Sequence, residues 1–240
     1  MSIDPRRYQR LDAGAVAETL QRLHDRIAAR FPERSLADLA RAVGDVTESV
    51  ERASRERVAQ TRPVRAACSV GAAVVAALAL VAISLSVHDA FRAAEGTPAF
   101  EWLPIVESGI NDVVFAGIAI YFLLSVPSRL ARRRTLALLY QLRSLAHVID
   151  MHQLTKDPER LLAAPVPTVS SVVPDLDSVG LGRYLDYCSE LLSLVGKTAA
   201  LCAQESTDAI VLDTVSEIES LTAGMARKIW QKISLLHAAG

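Results

Sequence analysis

The sequence predicts an all-α fold: a two-pass transmembrane helical hairpin, with a cytoplasmic helical bundle formed by the N- and C-terminal regions. Three observations point there. Two long apolar runs lie between Ala66 and Val126, arginines cluster where each run meets the rest of the chain, and apolar residues elsewhere recur at helical spacing. Apolar residues make up 51% of the 240-residue chain, at a mean hydropathy of +0.25. The abundance of arginine and alanine suggests a bacterial genome rich in G and C.

Residues 1–65 read as cytoplasmic N-terminal helices. GAVAETLQRLHDRIAARF, residues 14–31, is amphipathic and is stopped by Pro32. Ser35 then opens S-L-A-D, a capping pattern with Asp in place of Glu. Leu36, Leu39, Val43, Val46, Val50 and Ala53 follow at three- and four-residue steps. That seam, about two and a half heptads long, suits either a short coiled coil or packing inside a local bundle.

The first span is Ala66–Val87, 22 residues without a charge. About 20 such residues cross a bilayer core as a helix. A cleavable leader is not expected, because 65 mostly polar residues come first. The second span, Leu103–Val126, has 24 residues but contains Glu107, Asn111 and Asp112. Its wholly apolar part is short, so the flanks decide.

Arg52, Arg55, Arg57, Arg62 and Arg65 precede the first span, and Arg129, Arg132, Arg133, Arg134 and Arg143 follow the second. The connecting loop, residues 88–102, has only Arg92, beside Asp89, Glu95 and Glu101. Basic flanks stay inside, so both termini are expected in the cytoplasm of a bacterium, with the hairpin in its inner membrane. Trp102 fits the outer interfacial belt, and Pro127 marks the inner exit, where a kink is expected. Ser69, Gly71, Ala72, Ala73, Ala76, Ala77 and Ala79 in the first span, with Gly109 and Gly117 in the second, favour close helix packing.

Residues 127–240 complete the bundle. Leu138, Leu142, Leu145 and Ile149 continue helically to about Leu154, and Asp157-Pro158 starts a short helix. Residues 164–182 read as an irregular connection. Two long helices follow: Arg183–Gln204, burying Leu185, Leu192, Val195 and Ala199, and Thr207–His237, burying Val211, Val215, Ile218, Thr222, Met225, Ile229 and Leu236. No segment alternates like a strand.

The most informative motif is Glu107, Ser108, Asn111 and Asp112, which fall within an arc of about 140° on the second span. Phe115, Ile118, Phe122 and Ser125 continue that face. In a symmetric oligomer it would place carboxylates and amides above an apolar constriction of Phe115, Ile118 and Phe122, the layout of a cation pore. The plainer alternative is that Asn111 and Asp112 hold helices together while Glu107 sits among headgroups.

His147, Asp150 and His152 are expected as a structural polar cluster. His152 is rotated about 140° from His147, which disfavours metal ligation from one helix. The turn-forming segment Met151–Pro158 is the best candidate for a specific internal contact. Gly196-Lys197-Thr198 imitates the end of a phosphate loop, but Leu191 stands where the first glycine belongs and no strand precedes it. Arg129, Arg132, Arg133 and Arg134 are candidate contacts for anionic lipid.

Cys188 and Cys202 are separated by about 21 Å along one helix, too far for a disulfide, and Cys68 lies in an apolar run. All three read as reduced, buried residues. No nucleophile–base pair, paired carboxylates, cofactor motif or nucleic-acid signature is legible. The expectation is a non-enzymatic, self-associating membrane scaffold or partner-binding module, with membrane lipid, further copies of itself and a cytoplasmic protein as partners. A homo-oligomeric cation channel or membrane-permeabilising effector lined by the second span is the alternative.

Overall fold

The computed structural model describes residues 10–93, 103–154, 156, 158, 176–204 and 206–238, which form five helices and no strand. They are α1 (Ala13–Arg30), α2 (Leu36–Ala93), α3 (Leu103–Leu154), α4 (Ser178–Ala203) and α5 (Ala209–Ala238). Two compact units divide the chain. Met1–Ser54 and Arg132–Gly240 form one, and Arg55–Ala131 forms the other, so α2 and α3 contribute to both. The expected helix at Asp157-Pro158 and the connection as far as residue 175 lie outside the described residues, except for Pro158, which is buried. The same holds for loop residues 94–102, Trp102 included.

In the larger unit, apolar periodicity becomes a single core drawn from all five helices. The Asp12 carboxylate accepts from the Gly14 and Ala15 amides at 2.8 and 3.3 Å, starting α1. Val16, Leu20, Leu23 and Ile27, at steps of four, three and four, turn its apolar stripe inward. Where Pro32 stops the helix, the Phe31 ring meets Tyr184 and Tyr187 edge-on, with centroids 5.4 and 6.1 Å apart. The heptad seam of α2 is used up inside this core. Leu36, Val43, Val46 and Val50 are buried, and Thr47 reaches the Thr198 hydroxyl at 2.8 Å.

On α3 the buried stripe runs Leu139, Leu142, Ala146 and Ile149, with Leu138 and Leu145 on its margin. The expected stripe is thus turned by one residue at two positions. Helix α4 begins earlier than expected. Asp177 accepts from the Gly180 amide at 2.8 Å, so residues 178–182 are helical and not irregular. On α5 each of the seven residues expected to be buried is buried. Gly196 lets α4 approach α5 closely, since a Cβ there would stand 3.0 Å from the Thr222 hydroxyl oxygen. The imitation phosphate loop is therefore a packing motif: Thr198 is buried, and exposed Lys197 donates to Ser193 at 2.7 Å.

Arg62–Asp89, within the smaller unit, and Val106–Leu154, which begins there and runs on into the larger one, are long and apolar enough to cross a membrane, with mean hydropathies of 2.5 and 1.8 in their most apolar windows. Only 6% and 0% of those windows is buried, which sets them apart from the core helices of a water-soluble domain. The helices pack antiparallel through Gly71, whose missing Cβ makes room for Leu123; one built there would lie 2.6 Å from that side chain. Ala72 is buried, and Ala76 and Ala79 are half-buried, whereas Ser69, Ala73 and Ala77 are exposed. Nothing stands within 4 Å of a Cβ at Gly109 or Gly117, so within the hairpin these two glycines do not mediate close packing as expected.

Both helices pass through a proline, Pro63 in α2 and Pro127 in α3. The apolar run ends at Pro127 but the helix does not. A single proline removes one intrahelical hydrogen bond, and a long helix supported on either side tolerates that loss.

Candidate functional site

The polar flank of α3 is set by helical geometry. Leu123 meets Gly71 of α2, and Asp112, Ala116 and Ala119 share its helix face at steps of four, three and four; all four are half-buried. Ser108, Asn111 and Glu107 lie about 50°, 110° and 150° round the helix from that face and are exposed. Phe115, Ile118 and Phe122 continue this exposed flank at 69%, 48% and 52% relative exposure. Of the four polar residues, Asp112 is half-buried and the other three are exposed.

The basic residues near Pro127 also divide. Arg132 is tied to Asp208, its Nε donating to Oδ2 at 2.6 Å, while Oδ1 of the same carboxylate accepts from the Ile210 and Val211 amides that open α5. Arg132 is thus engaged within the larger unit, unlike its expected lipid-facing role. Arg129 lies over the Phe122 ring, 5.3 Å from its centroid, and Arg133 and Arg134 are exposed.

A cleft of about 430 Å³ opens between the hairpin helices on the proline side of the Gly71–Leu123 contact. Arg65, Cys68 and Ser69 line it from α2, and Leu124, Pro127, Ser128 and Ala131 from α3. Both serine hydroxyls donate to their own helix, Ser69 to the Arg65 carbonyl and Ser128 to the Ser125 carbonyl, each at 2.8 Å. Sequence reasoning missed this cleft because it depends on which turn of α2 meets which turn of α3.

His147, Asp150 and His152 do not form one cluster. His147 is exposed, Asp150 accepts from Gln153 Nε2 at 2.6 Å, and His152 Nδ1 meets the Tyr184 hydroxyl at 3.1 Å. The segment expected to make a specific contact does make one. Lys232 of α5 donates to the carbonyls of Gln153 and Lys156, at 2.9 and 3.2 Å, where α3 ends. A cation at a helix C-terminus satisfies orphan carbonyls and favours the dipole. Beside it, Cys188 is buried, and burial pushes its thiol up to about 12. Cys202 is buried as expected, and Cys68 is only half-buried.

Burial, with the Lys156 charge second, lowers the His152 imidazole below its ordinary value. The neutral ring is favoured, and its Nδ1 shares a hydrogen bond with the Tyr184 hydroxyl. A base depressed on folding binds fewer protons folded than unfolded, so its contribution is full above about pH 6.5 and is lost as pH falls through and below that value. The wild-type chain should therefore lose more stability than His152→Gln between about pH 7.5 and pH 5.5, as measured by thermal unfolding. Equal losses would remove His152 from the acid response.

Among the described residues, no group of three or more His, Cys, Asp or Glu side chains is arranged to hold a metal ion. No family model, curated protein or solved structure matches this chain.

Proposed function

We propose that the chain is a non-enzymatic, membrane-anchored helical scaffold. It self-associates through its hairpin in a bacterial inner membrane and offers its helical unit to a cytoplasmic protein partner. The arginines flanking the two apolar runs support an orientation with both termini inside. The observation that carries the reading is the exposed flank of Glu107, Ser108 and Asn111 on a hairpin that buries almost none of its apolar surface. A carboxylate and an amide left facing lipid cost free energy, and a second copy covering that flank removes the cost. The exposed small residues Ser69, Ala73 and Ala77 give α2 a second surface suited to close approach.

Subunit counting by single-molecule photobleaching in membrane-derived nanodiscs tests the reading. The wild-type chain should be dimeric or larger. Asn111→Leu should weaken association by about threefold to twentyfold, the range of one interhelical hydrogen bond in lipid. A strictly monomeric wild-type chain at every protein-to-lipid ratio would rule self-association out.

The shared flank of Glu107, Ser108, Asn111, Phe115, Ile118 and Phe122 favours one second reading, a cation channel lined by α3. Liposome flux separates the two. A channel conducts, and Glu107→Gln changes its conductance more than Asp112→Asn does, because Glu107 is exposed and Asp112 is half-buried. A scaffold passes no ions.

A further inference from the structure

We infer that the cleft between α2 and α3 binds one anionic glycerophospholipid, its phosphate on the Arg65 guanidinium and the start of its acyl chains against Leu124 and Pro127. The inference rests on the hairpin being embedded in a membrane, and adds to it a specific lipid site. The cleft combines one base and two hydroxyls with the apolar surfaces of Cys68, Leu124, Pro127 and Ala131. That division matches an amphiphile: a free phosphate would have no use for the apolar part, and a hydrocarbon chain alone no use for Arg65.

Charge complementarity sets the sign. Arg65 is exposed, and among the described residues no carboxylate pairs with it. Arg62 lies one turn earlier on α2, and Arg129 is close in sequence to the α3 lining, so the field around the cleft is positive. The Ser69 and Ser128 protons are already given to backbone carbonyls, which leaves their oxygens as acceptors. A headgroup that donates hydroxyls, such as the glycerol of phosphatidylglycerol, meets both demands. Arg65 sits at the polar end of the first apolar run, the depth at which basic clefts between membrane helices take phosphate headgroups.

Cys68 lines the cleft and is half-buried, while Cys188 and Cys202 are buried, so the native chain carries its own reporter. The full-length chain is reconstituted into phosphatidylcholine vesicles, alone or with increasing phosphatidylglycerol, and Cys68 alkylation by a small maleimide is timed. Phosphatidylglycerol should slow the reaction. The mole fraction giving half-protection should rise about fivefold in Arg65→Gln, the share of one base near a membrane surface, and stay within twofold in Arg62→Gln.

Equal shifts in the two variants would mean a diffuse surface charge and overturn the site. So would protection by glycerol phosphate or inorganic phosphate in pure phosphatidylcholine, which would make the ligand a soluble anion. Flotation of the chain with pure phosphatidylcholine vesicles reports membrane embedding separately. Flotation without protection refutes the cleft alone, and failure to float refutes both.

Discussion

Replacing Tyr184 with alanine is expected to cost the folded chain about 3–5 kcal/mol, the range for removing a large aromatic from a close-packed core. Tyr184 is 1% exposed and joins three parts of the larger unit. Its ring meets Phe31 after α1, its hydroxyl reaches His152 on α3, and the Arg34 guanidinium lies 5.4 Å from its centroid. Chemical unfolding in mild detergent, followed by circular dichroism, gives the number. Tyr184→Phe separates the two contributions, because it keeps the ring and should lose only about 0.5–1.5 kcal/mol with the hydroxyl. A loss below about 1 kcal/mol for the alanine variant would mean that neighbouring side chains collapse into the space.

Lys232→Met should be the next most damaging change, at about 2–3 kcal/mol. Methionine keeps the aliphatic stem but removes the ammonium that serves the Gln153 and Lys156 carbonyls. Hydrogen bonds from a charged donor contribute about 1.5–3 kcal/mol each, and the two losses do not add because both carbonyls regain some access to water. The same unfolding measurement applies, with Lys232→Arg as the control that restores a donor. If Lys232→Met unfolds at the wild-type midpoint, the cap at the end of α3 carries no stability.

How far the sequence revealed this molecule varies from helix to helix. The stripe of helix α5 was legible, because Val211 to Leu236 keep one period, although Thr214 and Ile233 join its buried side. The seam of α2 was legible as a pattern but not in its use, since periodicity does not say whether the complementary face lies on the same chain or another. The end of the second apolar run at Pro127 was legible, whereas the unbroken course of α2 through Pro63 and of α3 through Pro127 was not, because a proline alone does not say whether neighbouring turns support the helix across it.

The start of α4 was misplaced because three prolines and a glycine nearby outweighed the cap at Asp177. For the candidate site, the polar arc on α3 followed from 100° per residue, but the side that packs did not. That side is set by where Gly71 admits Leu123. Lys232 on the end of α3 and Asp208 on Arg132 are separated by 79 and 76 residues from their partners, and no local signal announces either pairing.

The close contact between Gly196 and Thr222 constrains how this sequence can drift. With 3.0 Å between a would-be Cβ and the Thr222 oxygen, a side chain at 196 requires Thr222 to give by a few tenths of an ångström. The history of position 196 is therefore tied to that of 222: a lineage that places a bulky side chain at 196 is expected to shrink residue 222, or to shift two helix backbones that the rest of the core holds in place.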